Sequence, residues 1–191
     1  MKKTNLIAVS ATAILLVACI PSINAFYQDK DVVFDHNLLG QWQEKDNTND
    51  PEIWTFEQGT NKGFNLTVLQ KGKTGTFSAH LFQLQQERFL DLIPSDCSYA
   101  TNQADLVSYS MFPGHLLMRV RQTDPELQFA ACNYDWLGKY LETNSSALAH
   151  HMEGERIVLT ADTRDLQKFV LQHMGTNELF QDYGAMVRRV K

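Results

Sequence analysis

Motifs that carry chemistry are scarce in this chain. Its 191 residues include only three cysteines, five prolines and ten glycines, which excludes a disulfide-dense miniprotein, a collagen-like repeat and a Gly/Pro-rich disordered polymer. No G-x-S-x-G elbow is present, and Ser95, Ser98, Ser108 and Ser110 stand in no nucleophile motif. Glycine-rich phosphate loops and patches interleaving basic with aromatic residues are also missing, so the sequence supports neither nucleotide nor nucleic-acid binding. There is no internal repeat, no low-complexity tract and no linker beyond residue 38. Long apolar runs are limited to one, Leu6–Ile20, which excludes a multi-pass helical membrane protein. The chain as a whole, at 43% hydrophobic and 20% charged with mean hydropathy −0.30, has the composition of one domain with a real core.

The apolar run reads as an export signal. Lys2 and Lys3 supply a positive start, and Leu6–Ala18 is an apolar stretch too short to span a bilayer. It ends in Leu16-Val17-Ala18-Cys19: an apolar residue, a tolerant position, a small residue and cysteine. This resembles the lipobox of bacterial lipoproteins. The resemblance implies cleavage after Ala18, a diacylglyceryl thioether on Cys19 and acylation of the new amino group by a palmitate-like chain. Several acyl chains anchor stably where one is marginal. Ile20 rather than Asp follows the cysteine, which by the same resemblance implies forwarding to the outer membrane. The competing reading is a soluble secreted chain cut after Ala25, because Ile23-Asn24-Ala25 also suits an ordinary signal peptidase.

Loss of residues 1–18 removes Lys2 and Lys3, leaving 15 basic side chains against 22 acidic ones, a formal charge of −7. That balance opposes binding to nucleic acid and to anionic headgroups. With Cys19 assigned to lipid, Cys97 and Cys132 remain. In an oxidising envelope a disulfide between them is the economical reading, and two unpaired cysteines are the alternative.

Residues 19–37 carry no sustained period and read as a lipidated N-terminus and tether, with a single β-rich domain expected over 38–191. Short runs rich in β-branched and aromatic residues predict strands near 39–45, 52–58, 64–70, 75–84, 87–93, 106–112, 115–122 and 126–132. Turn chemistry separates them, at Asn47–Pro51, Gly59–Gly63, Lys71–Lys73, Gln85-Gln86, Pro113-Gly114 and Asp124-Pro125. Phe64, Leu66 and Val68 alternate with Asn65 and Thr67, so one face of that strand is core and the other wet. The strands at 77–84 and 87–93 are apolar on both faces, which predicts an outer cover. After Cys132 the period changes to about 3.6 residues. Asn133 caps a helix with Trp136, Leu137, Tyr140 and Leu141 on one face, and Ser145 or Ser146 starts a second short helix through Met152 that Gly154 ends. A strand over 156–161 follows, then a helix capped by Asp162 with Leu166, Phe169, Val170, His173 and Met174 on one face, and a last strand over 185–190. The helix–strand–helix block thus occupies about 133–174, and the fold class is mainly β with α additions.

A meander of this length must form a sandwich or close on itself, and closure removes exposed edges. Gly40-Gln41-Trp42, at the start of the folded part, resembles the G-x-W signature of lipocalins and related calycin barrels. The resemblance implies that Trp42 packs across a barrel floor against a basic residue of the last strand, Arg188 or Arg189. It covers one tripeptide, an architecture and a C-terminal arginine. No second lipocalin motif occurs, and the 133–174 block stands where a lipocalin has one helix. The chain also resembles uncharacterised bacterial envelope lipoproteins.

Candidate chemistry is sparse. His150-His151 with Glu153 is the tightest set of metal-ligand types, but adjacent histidines on a helix point about 100° apart, so a solvated helix end is favoured over a metal site. Asp46, Asp50 and Glu57 fall at EF-hand-like positions, yet Pro51 replaces the required glycine and a polar hairpin turn fits better. His80 and His115 could serve as general bases with Asp91 or Glu87, against the simpler reading of packed strand residues. Trp54, Phe56, Phe64, Phe77 and Met118, with Leu66, Leu81, Phe89, Val120 and Phe129, either fill a barrel interior or line an apolar cavity. No cofactor is implied. The sequence is read as a non-enzymatic, lipid-anchored envelope protein that binds an apolar molecule or lipid in its barrel. The alternatives are a protein-interaction lipoprotein in envelope assembly, immunity or inhibition, and, less favoured, a hydrolase or metal enzyme.

Overall fold

The computed structural model describes residues 20–95, 112–123, 125–154, 156–176 and 178–189. Cys19, Cys97 and nearly all of the strand expected at 106–112 lie outside these residues. Eight antiparallel strands form a closed barrel: β1 (Gly40–Glu44), β2 (Ile53–Gln58), β3 (Phe64–Gln70), β4 (Lys73–Leu84), β5 (Glu87–Pro94), β6 (Leu116–Thr123), β7 (Glu126–Ala131) and β10 (Gly184–Arg188). Each pairs with the next in order, and β10 closes the ring between β7 and β1. The mainly β fold class expected from the sequence is therefore observed, with two helices following the meander among the described residues.

Alternation builds the barrel. Phe64, Leu66 and Val68 of β3 are buried while Asn65 is exposed. Between β3 and β4, Lys71 and Gly72 both have positive φ, the paired left-handed geometry of a two-residue turn that follows the twist of its strands. Inward residues of every strand meet in one core of Trp42, Trp54, Phe56, Phe64, Leu66, Leu81, Leu90, Met118, Phe129 and Met186, among others. Trp54 of β2 stacks on Phe129 of β7 with ring centroids 4.7 Å apart, although β1 and β10 lie between those strands in the ring. That contact spans the interior.

A second core lies outside the barrel. Phe82, Leu84, Phe89 and Leu117 point outward from β4, β5 and β6 into Leu137, Leu141, Leu166, Phe169 and Val170. These come from α1 (Tyr134–Thr143) and α2 (Thr163–His173), which are capped as expected: Asn133 Oδ1 accepts from the Trp136 amide at 3.1 Å and Asp162 Oδ1 from the Asp165 amide at 2.9 Å. Two-faced burial of β4 and β5 is thus the cover that their sequence requires.

Two expectations are corrected. Residues 145–154 hold no second helix. His150–Glu153 is a strand, β8, paired with β9 (Arg156–Leu159) in a hairpin whose turn includes Gly154 at φ +59°. Met152 faces the outer core and Leu148 is buried, which an alternating strand achieves as well as a helix. Nor is 20–37 a free tether, because it binds the barrel wall through backbone bonds that leave no side-chain period. Ser22 exchanges both backbone hydrogen bonds with His115, at 2.9 and 2.8 Å, and its neighbours bond Leu159 of β9 on the other side. Asn24 Nδ2 donates to the Ala161 carbonyl, Thr163 Oγ1 to that of Ala25 and Gln167 Nε2 to that of Phe26. The segment joins the barrel to the hairpin and α2 as a strap.

Removing the cross-barrel ring tests whether the interior is a solid core. Phe129→Ala is expected to cost about 3–5 kcal/mol, the range for a buried aromatic truncation, read as a lower urea midpoint at unchanged slope. A loss below about 1 kcal/mol would mean that the interior is loosely filled.

Candidate functional site

At one end the barrel is sealed. Trp42 is 3% exposed and its Nε1–H donates to the Leu38 carbonyl at 2.8 Å. The Arg188 guanidinium lies 4.3 Å from the centre of the Trp42 ring, a cation–π distance, and donates to the carbonyls of Leu39 and Asn37. Gly40 is required here by its backbone, whose φ is +107°, and a Cβ would in addition displace Arg188 Nη1, which it would meet at 2.9 Å. Of the two arginines held open by the sequence, Arg188 occupies this position, while the Arg189 amide bonds the Gln41 carbonyl. Phe34 stacks on Phe64 at 4.8 Å, and Arg88 Nη2 pairs with Asp35 Oδ2 at 2.5 Å, closing the same end. Burial opposes ionisation of Asp35, but the Asn37 amide and the Arg88 guanidinium outweigh it and hold the carboxyl below the usual range.

Above this floor the residues proposed as cavity lining divide. Trp54, Phe56, Phe64 and Met118 are at most 1% exposed and belong to the filled core. Phe77 is only partly buried. With Leu116 and Ala131 it stands on the inner face at the opposite end, where the β1–β2 and β3–β4 connections lie. A polar group edges this mouth: Glu52 accepts from Trp54 Nε1 at 2.5 Å and from Gln70 Nε2 at 2.6 Å. Burial pushes the Glu52 carboxyl above its usual range; the Trp54 and Gln70 bonds oppose this, and the nearby Glu44 charge adds to it. Glu52 and Gln70 were not singled out by sequence, because their pairing spans two strands. Only the inward parity they share with Trp54 and Val68 could have marked them.

A second polar cluster lies on the outer wall beneath the strap. Asp91, 1% exposed, accepts from His115 Nδ1 at 2.7 Å and from the Phe26 amide at 2.8 Å. His80 is directly opposite Asp91 in the β4–β5 register, its ring stacks on Tyr27 at 4.7 Å, and its Nδ1 lies 3.1 Å from the Tyr27 hydroxyl. The sequence suggested Asp91 as a partner for these histidines; Glu87 instead pairs with Arg119 at 2.8 Å. Asp91 and His115 have the spacing of a carboxylate orienting a base, but the second Asp91 oxygen is used to hold the strap. Burial lowers the His80 affinity for protons, opposed by Asp91 and Asp29 and reinforced by His115. Burial and the Asp91 charge raise Tyr27.

His150 and His151 occupy successive strand positions and therefore face opposite ways, His150 Nδ1 lying 2.7 Å from the Leu148 carbonyl. The Asp46–Asp50 connection is a polar turn in which Asn47 bonds both the amide and the carbonyl of Asp50. Among the described residues no cluster of three metal-ligand types is assembled. Cys132 is buried against the outer core. Comparison with family models, curated proteins and solved structures finds no match to this chain.

The lowered His80 and His173 pKa values give a pH dependence of stability. Below the ordinary histidine value of 6.5 the unfolded chain binds a proton that the folded one resists, so stability is full above that pH and falls as pH drops toward the folded values. Thermal unfolding measured between pH 7.5 and 5.5 is expected to show this decline, and His80→Gln to shrink it. A variant with the parent's slope would place the effect elsewhere.

Proposed function

We propose that this chain is a lipid-anchored, non-enzymatic protein of the bacterial envelope, favouring the outer membrane, whose barrel takes an apolar small molecule or lipid chain at its mouth. The observation that carries the binding reading is the trio Phe77, Leu116 and Ala131, left partly exposed at the mouth while the inner-face side chains below them, such as Phe56, Leu66, Met118 and Phe129, are buried. The Trp42–Arg188 floor and the Trp54–Phe129 stack restrict a ligand to this end, and Glu52 with Gln70 offers a polar group at its rim. The lipobox Leu16–Cys19 supports the anchor. A non-enzymatic role fits the enclosure of Asp91, whose oxygens serve the strap and His115.

One observation favours a second reading. The cross-barrel stack fills the centre, as in a barrel that acts only as a rigid scaffold for protein contacts. Titration of the purified protein with the apolar fluorophore N-phenylnaphthylamine separates the two. Saturable binding is expected, and Ala131→Trp, which fills the mouth, is expected to weaken it about tenfold or more, equivalent to about 1.4 kcal/mol, with thermal unfolding unchanged. No saturable binding, together with solvent extracts free of any small molecule, would overturn the ligand reading in favour of the scaffold.

A further inference from the structure

The start of the fold fixes how an anchored domain must sit. Ile20, the residue after Cys19, is 2% exposed in the outer core, and Pro21 and Ser22 are already bonded to β9 and to His115. No slack therefore separates the expected acyl chains from the barrel wall. The large exposed hydrophobic side chains among the described residues are Phe112 at 68%, Ile23 at 41% and Leu69 at 37%. Two of these three belong to the strap or to the segment that pairs with it. Ile23 follows Ser22, and Phe112 lies three residues before His115, the backbone partner of Ser22. Gly114 keeps the two segments close, since a Cβ there would lie 2.5 Å from Pro21 Cβ.

Apolar side chains exposed beside an acyl attachment point are suited to the headgroup–acyl boundary, where burial of apolar area adds to the anchor without any charge attraction. That matters in a mature chain expected to carry −7, which anionic headgroups repel. We infer that the wall bearing Ile23 and Phe112 is a membrane-apposed surface, its occupant the lipid bilayer itself, with the anchor at Cys19 and these side chains forming one contact. This rests on the lipoprotein reading and adds an orientation to it: the flank formed by the strap and the start of β6 faces lipid, while the outer face of β3, which carries Leu69 three strands away round the barrel, faces solvent.

The test uses the full chain, matured in its membrane and reconstituted in vesicles of phosphatidylethanolamine and phosphatidylglycerol doped with phospholipid brominated near the headgroup end of the acyl chain. Phe112→Trp and Leu69→Trp are compared by bromine quenching, each corrected for the signal of the parent chain, whose Trp42 and Trp54 are buried and whose Trp136 is partly buried. Ile23→Trp serves as a second probe if Phe112→Trp accumulates poorly. Quenching at the strap-side probe at least about threefold above that at Leu69→Trp is expected, because bromine quenches only at contact with lipid. Mass spectrometry of the N-terminal peptide is read on the same samples. Acylated Cys19 with equal or absent quenching at the two probes would overturn the orientation alone. An unmodified Cys19 would overturn the anchor and this inference with it.

Discussion

Closure of the ring by β1 is the constraint on which the rest depends. This strand of five residues pairs with β2 on one side and with β10 on the other, so Trp42 stands between Trp54 and Arg188 in register. Without that double pairing β2 and β10 would be open edges, each presenting unpaired backbone groups. The chain must travel from β7 through two helices and a hairpin before it reaches β10. Closure is therefore a contact of long sequence separation, formed against a loop-closure entropy that grows only slowly with length. Arg188 secures it from three directions, through the Trp42 face and the carbonyls of Leu39 and Asn37.

The same geometry explains why the excursion between β7 and β10 packs where it does. A closed barrel has only its outer face left for further burial, and β4 to β6 carry Phe82, Leu84, Phe89 and Leu117 there. Each such side chain is worth roughly 1.5–3 kcal/mol when removed from water, so the helices and hairpin are held to that wall rather than to the polar outer face of β3. The strap completes the arrangement. Ser22 lies between His115 and Leu159, bridging the barrel sheet to the two-stranded sheet β8–β9. Asp91 then supplies a buried acceptor to the Phe26 amide where no further strand could pair with it.

Local pattern made the barrel legible, and non-local pairing hid the rest. Alternation at Phe64, Leu66 and Val68, turn residues at Lys71-Gly72, and apolar residues on both faces of β4 and β5 each follow from a few neighbouring positions, and the strands and their cover were read from them. Asn133 and Asp162 were legible because a cap is a local device. The strap was not, because what holds residues 20–34 is bonding of its main chain to residues about 50 to 140 positions away. His150–Glu153 was misread because a run of four residues can satisfy either a helical or an alternating pattern. The site divided in the same way. Gly40 and Trp42 were marked by a tripeptide, and the choice between Arg188 and Arg189 needed the register. Glu52 and Gln70 carried no marker beyond the inward parity they share with Trp54 and Val68.

Filling the centre of the barrel changes what its aromatic residues imply. A cavity lined by Trp54, Phe56 and Phe129 would forgo the dispersion contacts these rings now make with one another, and a chain without a resident ligand would bear that loss throughout. Stacking the rings across the interior makes the barrel a core in its own right, independent of any occupant. The two contacts proposed above accordingly fall where burial is incomplete: the mouth at Phe77, Leu116 and Ala131, and the wall at Ile23 and Phe112. These lie on different parts of the barrel, one inside its open end and one on its flank, so a contact at the flank leaves the mouth accessible. A rigid barrel between them holds that separation, because neither surface is built from the residues that hold the centre together.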